Sequence, residues 1–288
     1  MRPAIRAASA PGSITTPCPA SPARMKQLDW NSPTTRVSTF MAWTLLPMKW
    51  LAKKKVLTIP DKLCKSSSMR IVVTAGPTRE AIDPVRFLSN RSSGRMGYAI
   101  AAAAARRGHK VTLVSGPVSL ARPAGVRIVQ VVAAAEMLAA VKKHLPGSDV
   151  LVMAAAVADW RPAVVAREKM KKGRSAVMTL RLVRTPDILA WAGGIKGTRL
   201  IVGFAAETER MLREAGRKLV EKNVDLIVAN NVKEMGAGFD VETNRVTLVF
   251  PGGRVCPWPM MTKTRVAGRL VREIEEMCRK MAAGSSKT

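Results

Sequence analysis

From residue 70 onward, short apolar runs that stop at glycine alternate with helix-length segments, and this alternation restricts the possible folds more than any other feature. Arg70-Ile-Val-Val-Thr74 ends at Gly76-Pro77, and Lys110-Val-Thr-Leu-Val-Ser115 ends at Gly116-Pro117. Runs of this kind, apolar on both faces, read as buried parallel strands. Between them Met96–Arg107 is dominated by alanine and closes at Gly108, the pattern of a helix with its C-terminal stop. Strand Val126–Val132, helix Ala134–Leu145 and strand Asp149–Ala154 continue the series. Strand Arg199–Phe204, helix Glu207–Lys222 and strand Asp225–Ala229 follow. Arg245–Phe250 and Val255–Trp258 flank Pro251-Gly-Gly253 and read as a hairpin. A last amphipathic helix covers Thr262–Met281.

Such a series predicts an α/β fold of three layers: a Rossmann-like, mostly parallel sheet with helices on both faces and a C-terminal β-hairpin. No internal repeat of solenoid length is present. No apolar run reaches the eighteen or so residues that a membrane helix needs. Four cysteines, Cys18, Cys64, Cys256 and Cys278, form no C-x-x-C, and His109 and His144 are the only histidines. A disulfide scaffold and a Cys/His zinc site are therefore not expected, and the usage suits a reducing cytoplasm.

Residues 1–68 break the pattern. They hold eleven Lys and Arg but only two acids, Asp29 and Asp61, are rich in Pro, Ser, Thr and Ala, and keep neither a 2- nor a 3.6-residue period. The expectation is a disordered or spurious extension, with a transit peptide as the alternative, ahead of a folded domain over 69–288. Met69 stands one residue before the first convincing strand.

The chain carries 48 Lys and Arg against 20 Asp and Glu, a formal +28, which implies a polyanionic partner. The basic residues recur beside strand ends, where open parallel sheets bind ligands. Leu88-Ser-Asn-Arg-Ser-Ser-Gly-Arg-Met-Gly97 leads into a helix start and supplies hydroxyls and free N–H groups, an anion site or simply a capping loop. In Ala154-Ala-Ala-Val-Ala-Asp-Trp-Arg161 the alanines admit a flat ligand and Asp159 can accept from a ribose hydroxyl. Otherwise this is a packed strand–helix junction with Asp159 as a cap. Arg167-Glu-Lys-Met-Lys-Lys-Gly-Arg174 is either a solvated face or a flap whose lysines close over a polyphosphate. Thr185-Pro-Asp-Ile188 sits at a helix start, Phe204 in Gly203-Phe-Ala-Ala-Glu-Thr208 can stack on a base, and Lys218 and Lys222 share a helix face. Ala229-Asn-Asn231 ends another strand. With aromatics at only 4%, the pattern favours a nucleoside triphosphate over single-stranded nucleic acid.

Two rival classes are open to test. A dinucleotide-dependent reductase calls for a glycine fingerprint and usually Tyr-x-x-x-Lys, but four positions after the sole tyrosine, Tyr98, stands Ala102. A non-catalytic nucleic-acid-binding module calls for cations spread over one face and steep salt dependence.

Taken in order, Val73–Glu80, Asp83-Pro-Val-Arg86, Leu88-Ser-Asn90, Ser92-Ser-Gly94, the Ala-Ala-Val-Ala-Asp159 loop, Glu168-Lys-Met-Lys-Lys172, Pro186-Asp-Ile188, Gly203–Thr208 and Asp225–Asn230 resemble the phosphopantothenoylcysteine synthetase family over about residues 69–281. The resemblance implies a coenzyme A biosynthesis ligase joining 4′-phosphopantothenate to L-cysteine. CTP and Mg²⁺ are its expected co-substrate and metal, an acyl-cytidylate its intermediate, and CMP and pyrophosphate its by-products. An ATP-dependent version is the alternative. By motif, Asn90 orients the intermediate and Lys169 contacts the triphosphate. Ala155, Ala156, Asp159, Pro186, Asp187, Ile188, Phe204, Lys218 and Lys222 form the nucleotide site, and Ser92 and Gly94 belong to a substrate-phosphate loop. The family further implies a homodimer, with the Arg245–Val255 hairpin as the candidate interface. Members usually carry a fused flavin-dependent decarboxylase. With only 68 residues upstream, none is expected here, so no flavin is expected and a separate downstream decarboxylase is. Neither a membrane nor a specific nucleic acid is an expected partner.

Overall fold

A computed structural model describes residues 68–173, 176–207, 210–231, 234, 238 and 241–285. The extension over residues 1–67, Arg174 of the basic run and Thr208 of the fifth strand-end motif lie outside the described residues. Among them fourteen strands and five α-helices follow one another. They are β1 (Arg70–Ala75), β2 (Arg79–Ala81), β3 (Phe87–Ser89), α1 (Arg95–Arg106), β4 (Lys110–Ser115), β5 (Val126–Gln130) and α2 (Ala134–His144). Next come β6 (Val150–Met153), β7 (Trp160–Pro162), β8 (Leu182–Arg184), α3 (Ile188–Gly194), β9 (Leu200–Glu207), α4 (Met211–Glu221) and β10 (Leu226–Asn231). The chain closes with β11 (Thr243–Asn244), β12 (Val246–Val249), β13 (Val255–Pro257), β14 (Met261–Thr262) and α5 (Lys263–Ser285).

Eight strands form one sheet in the order β13-β12-β10-β9-β6-β1-β4-β5. The six from β10 to β5 are parallel, while β12 and β13 run antiparallel at one edge. Strand alternation divides the core into two layers. Ile71, Val73, Val150, Val152, Leu200 and Val202 pack with α1 and α5, whereas Val72, Leu151, Met153 and Ile201 pack with α2, α3 and α4. Helices therefore cover both faces, as the alternation predicts. Each of the fully buried Leu and Ile side chains contributes roughly 1.5–3 kcal/mol by leaving water, and Leu151, Ile201 and Ile227 are all fully buried. No helix among the described residues is long and apolar enough to cross a membrane.

The hairpin pairs Thr247 with Pro257 and Val249 with Val255, and Gly252 and Gly253 take positive φ values of 78° and 81° between its strands. One helix starts later than its sequence suggests. Strand β9 runs on to Glu207 because it pairs with β10 through Glu207–Asn231, so α4 begins at Met211 rather than Glu207. Three small strand pairs, β2–β3, β7–β8 and β11–β14, escape the pattern entirely, being two or three residues long each. They stand beyond the strand ends and shape the site.

Candidate active site

Strand ends β6, β9 and β10 and the start of α1 border a cleft of about 800 Å³. The alanine loop along it is held from beneath by two buried threonine hydroxyls, one in β1 and one three residues past its end. Thr74 Oγ1 accepts from the Ala155 N–H at 3.2 Å, and Thr78 Oγ1 accepts from the Ala158 N–H at 2.9 Å. A one-residue parallel bridge joins Pro77 to Ala156, whose N–H donates to the Gly76 carbonyl at 2.9 Å. These bonds hold Ala155 and Ala156 flat along the cleft, so that a ligand meets backbone and methyl groups. Asp159 follows with its side chain exposed. It caps no helix. It precedes β7, and its carbonyl accepts from the Thr185 N–H at 3.0 Å.

One lip carries the Leu88–Gly97 loop. The Asn90 Nδ2 donates to the Val157 carbonyl at 2.9 Å, which ties this exposed side chain to the alanine loop. Gly94 begins α1 at φ +75°, and a Cβ there would lie 2.8 Å from Val118 Cγ1 and 3.3 Å from Gly76 Cα. Only glycine tolerates both the conformation and the approach. No side chain caps α1 and no acid occupies its first turn, so the positive end of the helix faces the cleft.

The opposite lip comes from α3 and α4. Asp187 is the N-cap of α3, its Oδ1 accepting from the Ala190 N–H at 2.9 Å, which places Pro186 one residue before the helix rather than within its first turn. Lys222 Nζ lies 3.0 Å from Asp187 Oδ2. Burial pushes the Asp187 carboxyl up, but the Ala190 N–H and the Lys222 ammonium outweigh it and leave the carboxyl below its ordinary value. Ile188, Phe204 and Lys218 line the same end. Trp160 and Arg184, on the paired strands β7 and β8, stack with the guanidinium 5.7 Å from the ring and make a further wall.

Most residues singled out by sequence therefore meet in one place. Asn90, Ser92, Gly94, Ala155, Ala156, Asp159, Pro186, Asp187, Ile188, Phe204, Lys218 and Lys222 all line the cleft. Lys169 does not. It is exposed, on the irregular segment between β7 and β8, and reaches no part of the lining. Its neighbour Met170 is anchored instead. The buried Asp83 carboxylate accepts from the Met170 N–H at 3.1 Å, and Arg86 Nη2 donates to the Met170 carbonyl at 2.8 Å. The Arg86 guanidinium, with the Val85, Met170 and Arg86 N–H groups, holds the Asp83 carboxyl well below the usual carboxylate range against the opposing effect of burial. This segment is thus fixed at Met170 by the Asp83-Pro-Val-Arg86 motif.

Sequence reading also missed three polar residues of the lining: Asn244, Lys263 and Arg184. Lys263 opens an amphipathic helix and looks like a solvated terminal lysine, yet it is only 5% exposed. Among the described residues no group of three or more His, Cys, Asp or Glu is placed to hold a metal ion.

A Rossmann-like α/β fold with a cationic, amide-rich cleft across its strand ends is the kind of site that suits a phosphorylated or similar anionic ligand. The chain matches the model for the DNA/pantothenate metabolism flavoprotein C-terminal domain over residues 66–277, and it belongs to that family. The coenzyme A biosynthesis bifunctional protein CoaBC of Bacillus subtilis (strain 168) is 50% identical over 205 residues, 71% of this chain. The chain spans about half the length of that relative. A crystal structure of the C-terminal domain of a CoaBC protein is 43% identical, with a TM-score of 0.64 over 75% of this chain and 98% of that one. A Cab2 variant in complex with phosphopantothenate-cysteine shares the fold at a TM-score of 0.63 and 17% identity, over 76% of this chain and 89% of its own.

Proposed function

We propose that this chain is the ligase that joins 4′-phosphopantothenate to L-cysteine, through an acyl-cytidylate formed from CTP. One observation carries the reading: Asn90, the Ala155–Asp159 loop and the Asp187–Lys222 pair, far apart in sequence, line one cleft. They are the residues that the resemblance assigns to the intermediate and the nucleotide. The similarity to CoaBC proteins and the phosphopantothenate-cysteine complex of a protein of like fold support the same substrates.

In the first half-reaction the pantothenate carboxylate attacks the α-phosphorus of CTP and pyrophosphate leaves with the electron pair of the broken P–O bond. The end of the cleft at α3 takes the nucleoside, with Phe204 against the base and Asp187 and Lys222 beside it. The triphosphate runs over the alanine loop toward the start of α1, where N–H groups and the helix dipole offset its charge. Lys169 swings in from the anchored flap to stabilise the phosphorus centre. In the second half-reaction the cysteine amine attacks the acyl carbon, the tetrahedral centre expels CMP, and the amine proton passes to solvent or to CMP. Asn90 orients the acyl group for this step.

Magnesium fits this cleft as an ion carried by the triphosphate. Mg²⁺ keeps several waters and commonly takes one or two carboxylates together with phosphates, and the exposed carboxylate of Asp159 in the lining suits that role. When bound it supplies charge neutralisation on the phosphate oxygens. A homodimer with the β12–β13 hairpin at its interface, a cytoplasmic setting and a decarboxylation that consumes the product complete the reading.

The test is pyrophosphate release by the full chain with phosphopantothenate, Mg²⁺ and either CTP or ATP, with and without cysteine. Release with CTP, and amide product only with cysteine, is expected. Preference for ATP replaces the nucleotide and keeps the reaction. Release with neither overturns the ligase.

A further inference from the structure

Glu80 is a buried carboxylate that does not line the cleft and that the proposed reaction does not use. It is 4% exposed, in the middle of β2, and its Oε1 accepts from the Ala134 N–H at 2.8 Å. Ala134 is the first residue of α2, 54 positions further along the chain. The N-cap of that helix, Ala133, has no side chain that can accept. Glu80 therefore supplies from β2 the acceptor and the negative charge that a helix start usually receives from its own cap. A second bond ties the same two elements, from the Arg79 N–H to the Val132 carbonyl at 2.8 Å.

Capping alone does not account for this arrangement. A carboxylate is costly to bury, and Ala133 already has the extended backbone of an N-cap, at φ −97° and ψ 162°. A serine or aspartate there would satisfy the helix start from the surface. What a local cap cannot do is fasten β2. That strand pairs only three residues with β3, Arg79 with Ser89, Glu80 with Leu88 and Ala81 with Phe87, and a two-stranded pair of this size is marginal by itself. Leu88, opposite Glu80, shares its inner face, while the Arg79 guanidinium stacks 4.6 Å from the Phe87 ring on the outer one. The Ser89 hydroxyl donates to the Thr78 carbonyl at 2.8 Å, and Asn90 is the next residue after β3.

We propose that Glu80 is a positioning residue for Asn90: by fastening β2 to the start of α2 it fixes β3, and with it the point at which the Asn90 side chain enters the cleft. This rests on the role given to Asn90 in the ligase reading. Glu80 touches no reactant and transfers no proton.

The experiment separates the anchor from the cap. Glu80→Ala removes both, and adding Ala133→Ser returns a local cap to α2 while β2 stays untied. In the full chain Glu80→Ala is expected to lower the melting temperature, and the double variant to recover most of it. Pyrophosphate release with CTP should persist in both, while conversion of acyl-cytidylate to amide falls by about 10- to 100-fold, the scale of a misplaced group. Glu80→Gln keeps an acceptor at Oε1 and is expected to retain most of the amide formation. Hydrogen exchange over residues 86–91 should be faster in the double variant while α2 stays protected. Amide formation that recovers together with the melting temperature in the double variant would reduce Glu80 to a helix cap and overturn the proposal. Unchanged exchange over residues 86–91 would overturn it as well. Should Glu80→Ala not fold, the double variant carries the comparison. A native chain that releases no pyrophosphate refutes the ligase, and the exchange result then decides the anchor by itself.

Discussion

Asp83 and Met170 stand 87 positions apart, and the Asp83 carboxylate accepts the Met170 N–H at 3.1 Å. Arg86, bound to the same carboxylate through Nε at 2.9 Å, donates to the Met170 carbonyl. Both backbone polar groups of Met170 are thereby held by the Asp83–Arg86 pair, and Lys169 is the residue before it.

Asp83→Ala should free the flap without unfolding the sheet, because Asp83 lies outside both apolar layers. The expected result is faster proteolytic cleavage within residues 163–181 and a higher KM for the nucleoside triphosphate, by about tenfold, the scale of losing one charged hydrogen-bonded anchor. The pH dependence follows from the lowered carboxyl. A folded value below the ordinary one near 3.9 means that the clamp's contribution is fully present above about pH 4 and is lost only as pH falls through the lowered value. Flap protection measured from pH 8 to pH 5 should therefore be flat. A loss centred between those limits would assign the anchor elsewhere.

Asn90→Ala should still release pyrophosphate from CTP but accumulate acyl-cytidylate, the outcome that the proposed second-step role of Asn90 requires. Trapping the intermediate by mass spectrometry checks this. Equal loss of both half-reactions would show that Asn90 serves only to hold the Leu88–Gly97 loop to Val157.

Lys169→Gln should slow pyrophosphate release by about 10²-fold, comparable to losing one electrostatic donor at a developing charge. The side chain is exposed and outside the cleft lining, so the melting temperature should not move. Normal release would leave the flap without a catalytic role.

Asp187→Ala removes both an N-cap and the partner of Lys222. Loss of the cap should cost about 1 kcal/mol, read by denaturant unfolding, and nucleotide affinity should fall while phosphopantothenate affinity does not. Because the Asp187 carboxyl is lowered on folding, its contribution is present above the ordinary aspartate value and fades as pH falls through the lowered one. Nucleotide binding should thus be insensitive to Asp187 titration from pH 6 to 8. A step in that window, absent in Asp187→Ala, would contradict the assignment.

Much of this architecture is legible in the chain because buried parallel strands announce themselves. Arg70–Ala75 and Lys110–Ser115 carry apolar residues on both faces, and each ends at a Gly-Pro pair. Strand-end loops rich in Ala, Ser, Asn and Gly then mark the ligand edge, and that was enough to collect Asn90, Asp159, Asp187 and Lys222. The clip β11–β14 was not legible. Two-residue strands have no periodicity to detect, and a lysine opening an amphipathic helix reads as solvent-facing until its partners are known.

Local composition alone thus determined the order of strands and helices, the two-faced sheet and the edge that binds, because backbone propensity and apolar period act over a few residues. Only the tertiary structure decided that Lys263 is buried beside Asn244, that Met170 hangs from Asp83, and that α4 waits until Met211. Those outcomes depend on pairings across tens of residues, where burial and register, rather than any local preference, set the free energy.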